Sequence, residues 1–164
     1  MDYINILGVK VSKVNMKSAV EKATEMLSTD GLSMIFTPNS EILLYASNHP
    51  EYTEVLNKAD MIVPDGIGVV YGSKILGDKL EERVAGFDLV AKFFEVLAEK
   101  GKSVYLLGAK PSVAETAAEK LAEKYPGLKI AGTHDGYFKE EDDEKVIEEI
   151  NKTSPDFLMV CIGF

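Results

Sequence analysis

The chain has one cysteine, two histidines and one arginine among its 164 residues. A single cysteine, Cys161, excludes an internal disulfide and points to a reducing, cytoplasmic setting. Two histidines and one cysteine, all far apart, give no ligand spacing for a metal. No run of about 18 apolar residues occurs, so no segment has the pattern of a membrane-spanning helix. The opening Met1-Asp2 is acidic and the apolar run behind it is short, so no signal peptide is expected. Positive charge is scarce as well: 18 Lys and Arg face 27 Asp and Glu, a net charge of −9. A general nucleic-acid binder needs a basic face, and this balance argues against one. An anionic substrate must then be held by local groups, because the overall field repels it. Three motifs are missing too. There is no G-x-G-x-x-G turn of a dinucleotide-dependent oxidoreductase, no G-K-[ST] ending of a Walker A loop, and no D-x-D pair for a metal at a strand end.

What remains is an ordinary globular composition, 46% hydrophobic and 27% charged, with length for one domain over residues 1–164. Short apolar runs at 4–7, 34–36, 61–63, 104–107, 128–131 and 157–162 alternate with helical patterns. Most runs are apolar on consecutive residues, as in strands covered on both faces. Met16, Ala19, Val20, Ala23, Met26 and Leu27 follow helical spacing, with Asn15 as N-cap. Val90, Phe93, Phe94 and Leu97 mark a second helix, closed by Gly101. Val113, Ala117 and Leu121 mark a third, with Pro111 near its first turn. Val146, Ile147 and Ile150 mark a fourth ahead of Pro155, its start carrying the solvated charge run 139–145. Shorter helices are expected at 41–47, 51–57 and 67–76. This alternation predicts an α/β fold: a Rossmann-like, mostly parallel sheet with helices on both faces.

Ligands of such folds gather at the C-terminal ends of the strands. Thr37 and Asn39 follow one run, Asp65 and Gly66 another, Gly108 and Ala109 a third, and Gly136 and Tyr137 a fourth; Gly163 follows the last. These loops are expected to converge on one rim. Asp65 is a carboxylate delivered between Pro64 and Gly66, suited to taking a proton; Asp-Gly is also a common turn dipeptide. Arg83 is the one planar fork in a chain whose other cations are lysines, suited to gripping a diphosphate; it could also pair with Glu81 or Glu82. The run 77–86 is polar and flanked by glycines, so Arg83 is placed on a segment able to close over substrate. Thr37 and Asn39 can hydrogen-bond a sugar or cap the following helix. The helix start after Gly108 can meet a phosphate. Tyr137 can stack on a base or sugar, or be a half-buried core aromatic. His134 has no triad partner nearby.

Taken together, INILGVKVSKVNM, TPNSEIL (37–43), ADMIVPDGIGVVYGSKILG (59–77), RVAGFDL (83–89), VYLLGAKPSVAETAAEKL (104–121) and GTHDGYF (132–138) resemble the TagA/WecG/CpsF family of bacterial glycosyltransferases over essentially the whole chain. The combination in this order is specific, although each piece alone is not. The resemblance, strongest toward the TagA branch, implies an inverting, metal-independent transferase without a cofactor. Its implied donor is UDP-N-acetylmannosamine (UDP-ManNAc). Its implied acceptor is the 4-hydroxyl of N-acetylglucosamine (GlcNAc) on undecaprenyl diphosphate, in wall teichoic acid synthesis. The WecG branch implies N-acetylmannosaminuronic acid instead, and a non-catalytic nucleotide-sugar-binding module is the remaining alternative. In this frame Asp65 is the expected base and Arg83, with the helix start after Gly108 and Ala109, meets the diphosphate. Thr37, Asn39 and Gly66 position sugar, and Gly136 and Tyr137 line the nucleotide pocket. The family pattern continues past Gly163-Phe164 with a C-terminal appendage tied to membrane association. The chain is therefore expected to be truncated on an apolar run, to act peripherally on the inner face of the cell membrane, and to be prone to homo-oligomerise.

Overall fold

The computed structural model describes residues 2–162 and divides into two compact units, Met1–Phe93 and Phe94–Phe164. The first unit opens with strands β1 (Tyr3–Ile6) and β2 (Val9–Ser12), paired antiparallel with Ile6 opposite Val9. Their two-residue turn places Leu7 and Gly8 at φ 53° and 91°, the left-handed conformation that suits the twist of a hairpin. The sequence reading missed β2, because Leu-Gly is not a usual hairpin pair. Alternation along the hairpin buries Ile4, Ile6, Val9 and Val11. Helix α1 (Met16–Met26) follows, and Asn15 and Ser18 cap it reciprocally: Ser18 N donates to Asn15 Oδ1 at 2.9 Å and Asn15 N to Ser18 Oγ at 3.0 Å.

Strand β3 (Ile35–Phe36), helices α2 (Ser40–Asn48) and α3 (Pro50–Leu56), strand β4 (Met61–Ile62) and helix α4 (Ile67–Ile75) come next. β3 and β4 pair in parallel, with Ile35 opposite Met61, and Val63 N extends the pairing to Phe36 O at 2.9 Å. Ile62 N donates to the buried Ser12 Oγ at 3.1 Å, which ties β4 to the hairpin strand. Leu43, Ala46, Leu56, Ile62, Val69 and Leu80 close the core over that hairpin. Helix α5 (Gly86–Glu99) contains the boundary between the units.

The second unit is a three-stranded parallel sheet in the order β6–β5–β7, built from β5 (Ser103–Gly108), α6 (Val113–Lys124), β6 (Lys129–His134), α7 (Asp143–Thr153) and β7 (Phe157–Cys161). The acidic run enters α7 through one 3-10 turn at Glu140–Asp142. β5 is central and buried throughout from Val104 to Gly108. Tyr105 and Leu107 meet Val146 and Ile150 of α7 on one face, while Val104 and Leu106 are buried on the other. α6 packs its Ala114 and Ala118 side on β5 and β6. The α/β class with parallel strands flanked by helices thus holds, with the β1–β2 hairpin as an antiparallel exception.

β7 departs from expectation. The run 157–162 reads as a strand covered on both faces, yet Leu158, Val160 and Ile162 are exposed. Among the described residues β7 pairs only with β5, so it is an edge strand with one open face. Its register is fixed by Asp156, which accepts from Lys102 Nζ, Ser103 N and Ser103 Oγ, each at 2.8 Å. The Lys102 bond, helped by the two from Ser103 and opposed by partial burial, lowers the Asp156 pKa to about 2.

Candidate active site

In the first unit, three segments meet beyond the C-terminal ends of β3 and β4. Asp65 is the centre. Its Oδ2 accepts from Gly86 N at 3.0 Å, and Pro64 O accepts from Val84 N at 3.0 Å. Gly86 is the first residue of α5, so the carboxylate satisfies an amide that the helix itself leaves unpaired. The other oxygen, Oδ1, has no partner among the described residues. The turn reading of Asp65 is also fulfilled, since Asp65 N bonds Val63 O at 2.9 Å; the residue makes the turn and presents an acid.

Thr37 lies against Gly86 so closely that a Cβ on that glycine would sit 3.0 Å from Thr37 Oγ1 and Cβ. A side chain at this position would press on Thr37 and push it by a few tenths of an ångström. The sequence reading missed Gly86 as a site residue. Its signal was a glycine four residues before Val90, at the start of a helical pattern. Asn39 caps α2, its Oδ1 accepting from Glu41 N and Ile42 N at 3.0 Å each. Capping is therefore a real duty of Asn39, and Thr37 makes no such bond. Gly66 has φ +95°, and a Cβ there would reach Asn39 Cβ at 3.6 Å, so backbone conformation rather than space asks for glycine. Thr37, Asn39, Asp65, Gly66 and Gly86 form one contiguous group.

Arg83 is exposed and makes no ion pair or hydrogen bond among the described residues. The acids that could have neutralised it are engaged elsewhere. Glu81 Oε2 accepts from Asn15 Nδ2 at 3.0 Å, and Glu82 Oε1 from Met16 N at 2.6 Å. Both serve the start of α1, where negative charge is favoured. The segment 77–86 is fastened further by a 2.6 Å Lys13–Asp78 bridge and by Leu80 N on Ser73 Oγ at 2.9 Å. Arg83 is thus carried on an anchored loop, three residues before the glycine that holds Asp65.

In the second unit, Gly108 at the end of β5 has φ +133°, and a Cβ there would stand 2.4 Å from the Cys161 carbonyl. Ala109 N donates to Cys161 O at 3.2 Å, and Gly136 N to Ala109 O at 2.9 Å. Gly108, Ala109 and Gly136 are therefore in contact. Ala109 and Ser112 both take left-handed conformations, φ 62° and 69°, a strain that two non-glycine residues bear only where the loop shape requires it. Ser112 does not cap α6 with its side chain; Val113 N bonds Lys110 O at 3.0 Å, and the next amides of the first turn have no partner among the described residues. Tyr137 is 70% exposed, with its N–H held by Asp135 Oδ1 at 2.7 Å. The aromatic of this loop that packs against the core is the half-buried Phe138, edge-on to His134. Gly163, expected on the rim after β7, lies outside the described residues. Among those residues no three His, Cys, Asp or Glu side chains cluster to hold a metal ion.

Residues 4–164 match the profile of the Glycosyl transferase WecG/TagA/CpsF family. The chain belongs to that family. Among curated proteins it is similar to an N-acetylglucosaminyldiphosphoundecaprenol N-acetyl-beta-D-mannosaminyltransferase of Bacillus spizizenii strain W23. The two are 38% identical over 86% of this chain and 54% of that protein. Proteins of the same description in Bacillus subtilis strain 168 and Staphylococcus aureus strain NCTC 8325 are 36% and 35% identical. They cover 80% and 98% of this chain but 51% and 63% of their own lengths. The chain thus spans between half and two thirds of each of these three relatives.

Each group has its own chemistry. The first holds an oriented carboxylate with one oxygen unpartnered among the described residues and a hydroxyl, and the exposed Arg83 lies three residues before Gly86 in the chain. The second holds open helix-start amides and an exposed aromatic ring. The first suits proton removal and anion binding, and the second suits a phosphate and a flat ring.

Proposed function

We propose that this chain carries the transfer site of an inverting, metal-independent enzyme that moves N-acetylmannosamine from UDP-ManNAc to the 4-hydroxyl of GlcNAc on undecaprenyl diphosphate, in wall teichoic acid synthesis. Family membership and the names of the relatives support the reaction class and the acceptor. The observation that carries the reading on this chain is Asp65: Oδ2 is fixed by Gly86 N while Oδ1 has no partner among the described residues.

Inversion needs one base to take the acceptor proton as the donor bond breaks. Asp65 fills that role, accepting the 4-hydroxyl proton on Oδ1 while the oxygen attacks the anomeric carbon and UDP departs. Held by a helix-start amide, its carboxylate need not reorient for the reaction. Arg83 offers its fork to the departing diphosphate, the one guanidinium available to it in a net −9 chain. Thr37 and Asn39 position sugar through the Thr37 hydroxyl and the Asn39 side-chain amide nitrogen, the latter left over from capping. Gly66, Gly108, Ala109, Gly136 and Tyr137 are assigned to substrate: glycines for close approach, open amides after Ala109 for phosphate, and the exposed ring for uracil or ribose.

The test incubates the protein with a short-chain lipid diphosphate-GlcNAc acceptor and UDP-ManNAc or its uronic acid counterpart, with EDTA present, and measures released UDP together with glycosylated lipid. Product from UDP-ManNAc is expected. Product only from the uronic acid donor moves the reading to the WecG branch. Nucleotide binding without product leaves a binding module.

A further inference from the structure

Asp65 lies at the start of two helices. α4 begins at Ile67, two residues past it, and α5 begins at Gly86, whose amide holds Asp65 Oδ2 at 3.0 Å. Side chains of a helix lean toward its N-terminus, so first-turn residues reach out over the end of the helix. The residues in those places are Ile67 and Phe87, apolar and 57% and 84% exposed. Phe87 is one residue past Gly86, about 3.8 Å from Cα to Cα. Its ring has no aromatic or cation partner among the described residues, while Leu89, Phe93 and Leu97 on the inward face of α5 are buried. One exposed apolar residue is ordinary, but here two lean toward one carboxylate from two helices.

The polar groups nearby select the ligand. Thr37 Oγ1, Ser40 Oγ and the Asn39 side-chain nitrogen make no hydrogen bond among the described residues. Ser40 stands against the start of α4, where a Cβ on Gly68 would lie 3.0 Å from its hydroxyl oxygen. Thr37 stands against the start of α5 in the same way, at Gly86. Uncharged hydroxyl and amide groups beside an exposed aromatic ring fit a pyranose, which has apolar C–H groups on its face and hydroxyls around its rim. A diphosphate has no apolar face to offer the ring. Asp65 and Asp88, on either side of Phe87, also disfavour an anion there.

We propose that Phe87 is the platform on which the acceptor sugar stacks, with Ile67 adding apolar contact, and that it sets the sugar hydroxyl against Asp65 Oδ1. That the sugar is the GlcNAc of a lipid diphosphate rests on the transfer reaction proposed above; the sugar-binding face does not. The chain has no tryptophan, so Phe87→Trp carries a single indole whose emission reports contact without turnover. It is titrated with a short-chain lipid diphosphate-GlcNAc, with the same lipid diphosphate lacking the sugar, and with UDP. A saturable change with the GlcNAc compound alone is expected. In UDP-release kinetics, Phe87→Ala is expected to raise the acceptor KM about tenfold, the loss of one stacked ring, and to leave UDP affinity unchanged. Phe87→Tyr keeps the ring and should return KM to within about threefold of wild type; Phe87→Leu, apolar without a flat face, should not. The position is exposed, so all four variants should keep the wild-type circular dichroism spectrum. An equal indole response to the sugar-free lipid assigns the ring to lipid. A response to UDP, with weaker UDP binding in Phe87→Ala, assigns it to the nucleotide. Each overturns the proposal, as does a Phe87→Leu that serves as well as Phe87→Tyr, or a Phe87→Ala with an acceptor KM within about threefold of wild type. If wild type shows no turnover, the transfer reaction fails while the titration still decides the platform. Turnover without an indole response removes the platform and leaves the transfer reaction standing.

Discussion

Asp65 has two separable duties, and two substitutions tell them apart. One oxygen accepts the Gly86 amide at the start of α5, at 3.0 Å; the other is assigned to the acceptor proton. In Asp65→Asn the amide oxygen can take the place of Oδ2 and keep the bond to Gly86 N, while an NH2 group replaces the basic oxygen. The stability cost is then a charge-assisted bond exchanged for a neutral one, about 1 kcal/mol. The catalytic cost is a lost general base, roughly 10²–10⁴ in rate, or about 3–5 kcal/mol of barrier. Asp65→Ala loses both duties and strands the buried Gly86 amide, for roughly 1–3 kcal/mol of stability. The assay is UDP release on a short-chain lipid diphosphate-GlcNAc acceptor, with urea unfolding and UDP binding measured on the same preparations. The expected pattern is Asn nearly as stable as wild type, still binding UDP, and almost inactive, with Ala no more active and less stable. If Asn turns over within about threefold of wild type while Ala is both unstable and slow, Asp65 is a helix cap and not the base.

Arg83→Lys keeps the charge but not the fork, and should lower kcat/KM roughly ten- to a hundredfold without affecting stability, since Arg83 has no partner among the described residues to lose; equal rates would leave it a general electrostatic role. Gly86→Ala should push Thr37 by a few tenths of an ångström, because the new Cβ would meet its side chain at 3.0 Å; a fall in kcat larger than the change in unfolding free energy is expected, and unaltered kinetics would detach Thr37 and Gly86 from the site. Transfer should persist in excess EDTA, and loss restored by Mg²⁺ or Mn²⁺ would overturn the metal-independent mechanism. Asp156 has a folded pKa lowered to about 2, below its unfolded value, so its bonds stabilise the fold above the unfolded pKa and are lost as pH falls toward about 2. Discounted for solvent exposure, that is about 1 kcal/mol at neutral pH. Asp156→Asn should therefore lower the thermal midpoint by about 2–4 °C at pH 7, with the gap from wild type closing as pH falls from about 4 to 2.

The sequence by itself determined the elements whose causes are local. Helical spacing and an Asn15 cap produced α1, and consecutive apolar residues between turn signals produced β4 and β5, because both depend on neighbours a few positions away. Strand ends followed from those elements, which is why Thr37, Asn39, Asp65 and Gly108 could be singled out. The motifs that resembled a family did so because spacing survives in a linear reading, and residues 4–164 match that family. Tertiary structure decided what depends on distant residues meeting. The Leu7-Gly8 hairpin turn reversed the chain where composition suggested one run. β7 became an edge strand because β5 is its one partner among the described residues. Tyr137 faced solvent while the half-buried Phe138 packed against the cluster of Tyr105, Leu107, Val146 and Ile150. Glu81 and Glu82 turned to α1 and left Arg83 without a partner among the described residues, a choice that a linear reading cannot make. Gly86 gained its importance from Thr37 and Asp65, 49 and 21 positions away, because hydrogen bonds and steric limits act through space.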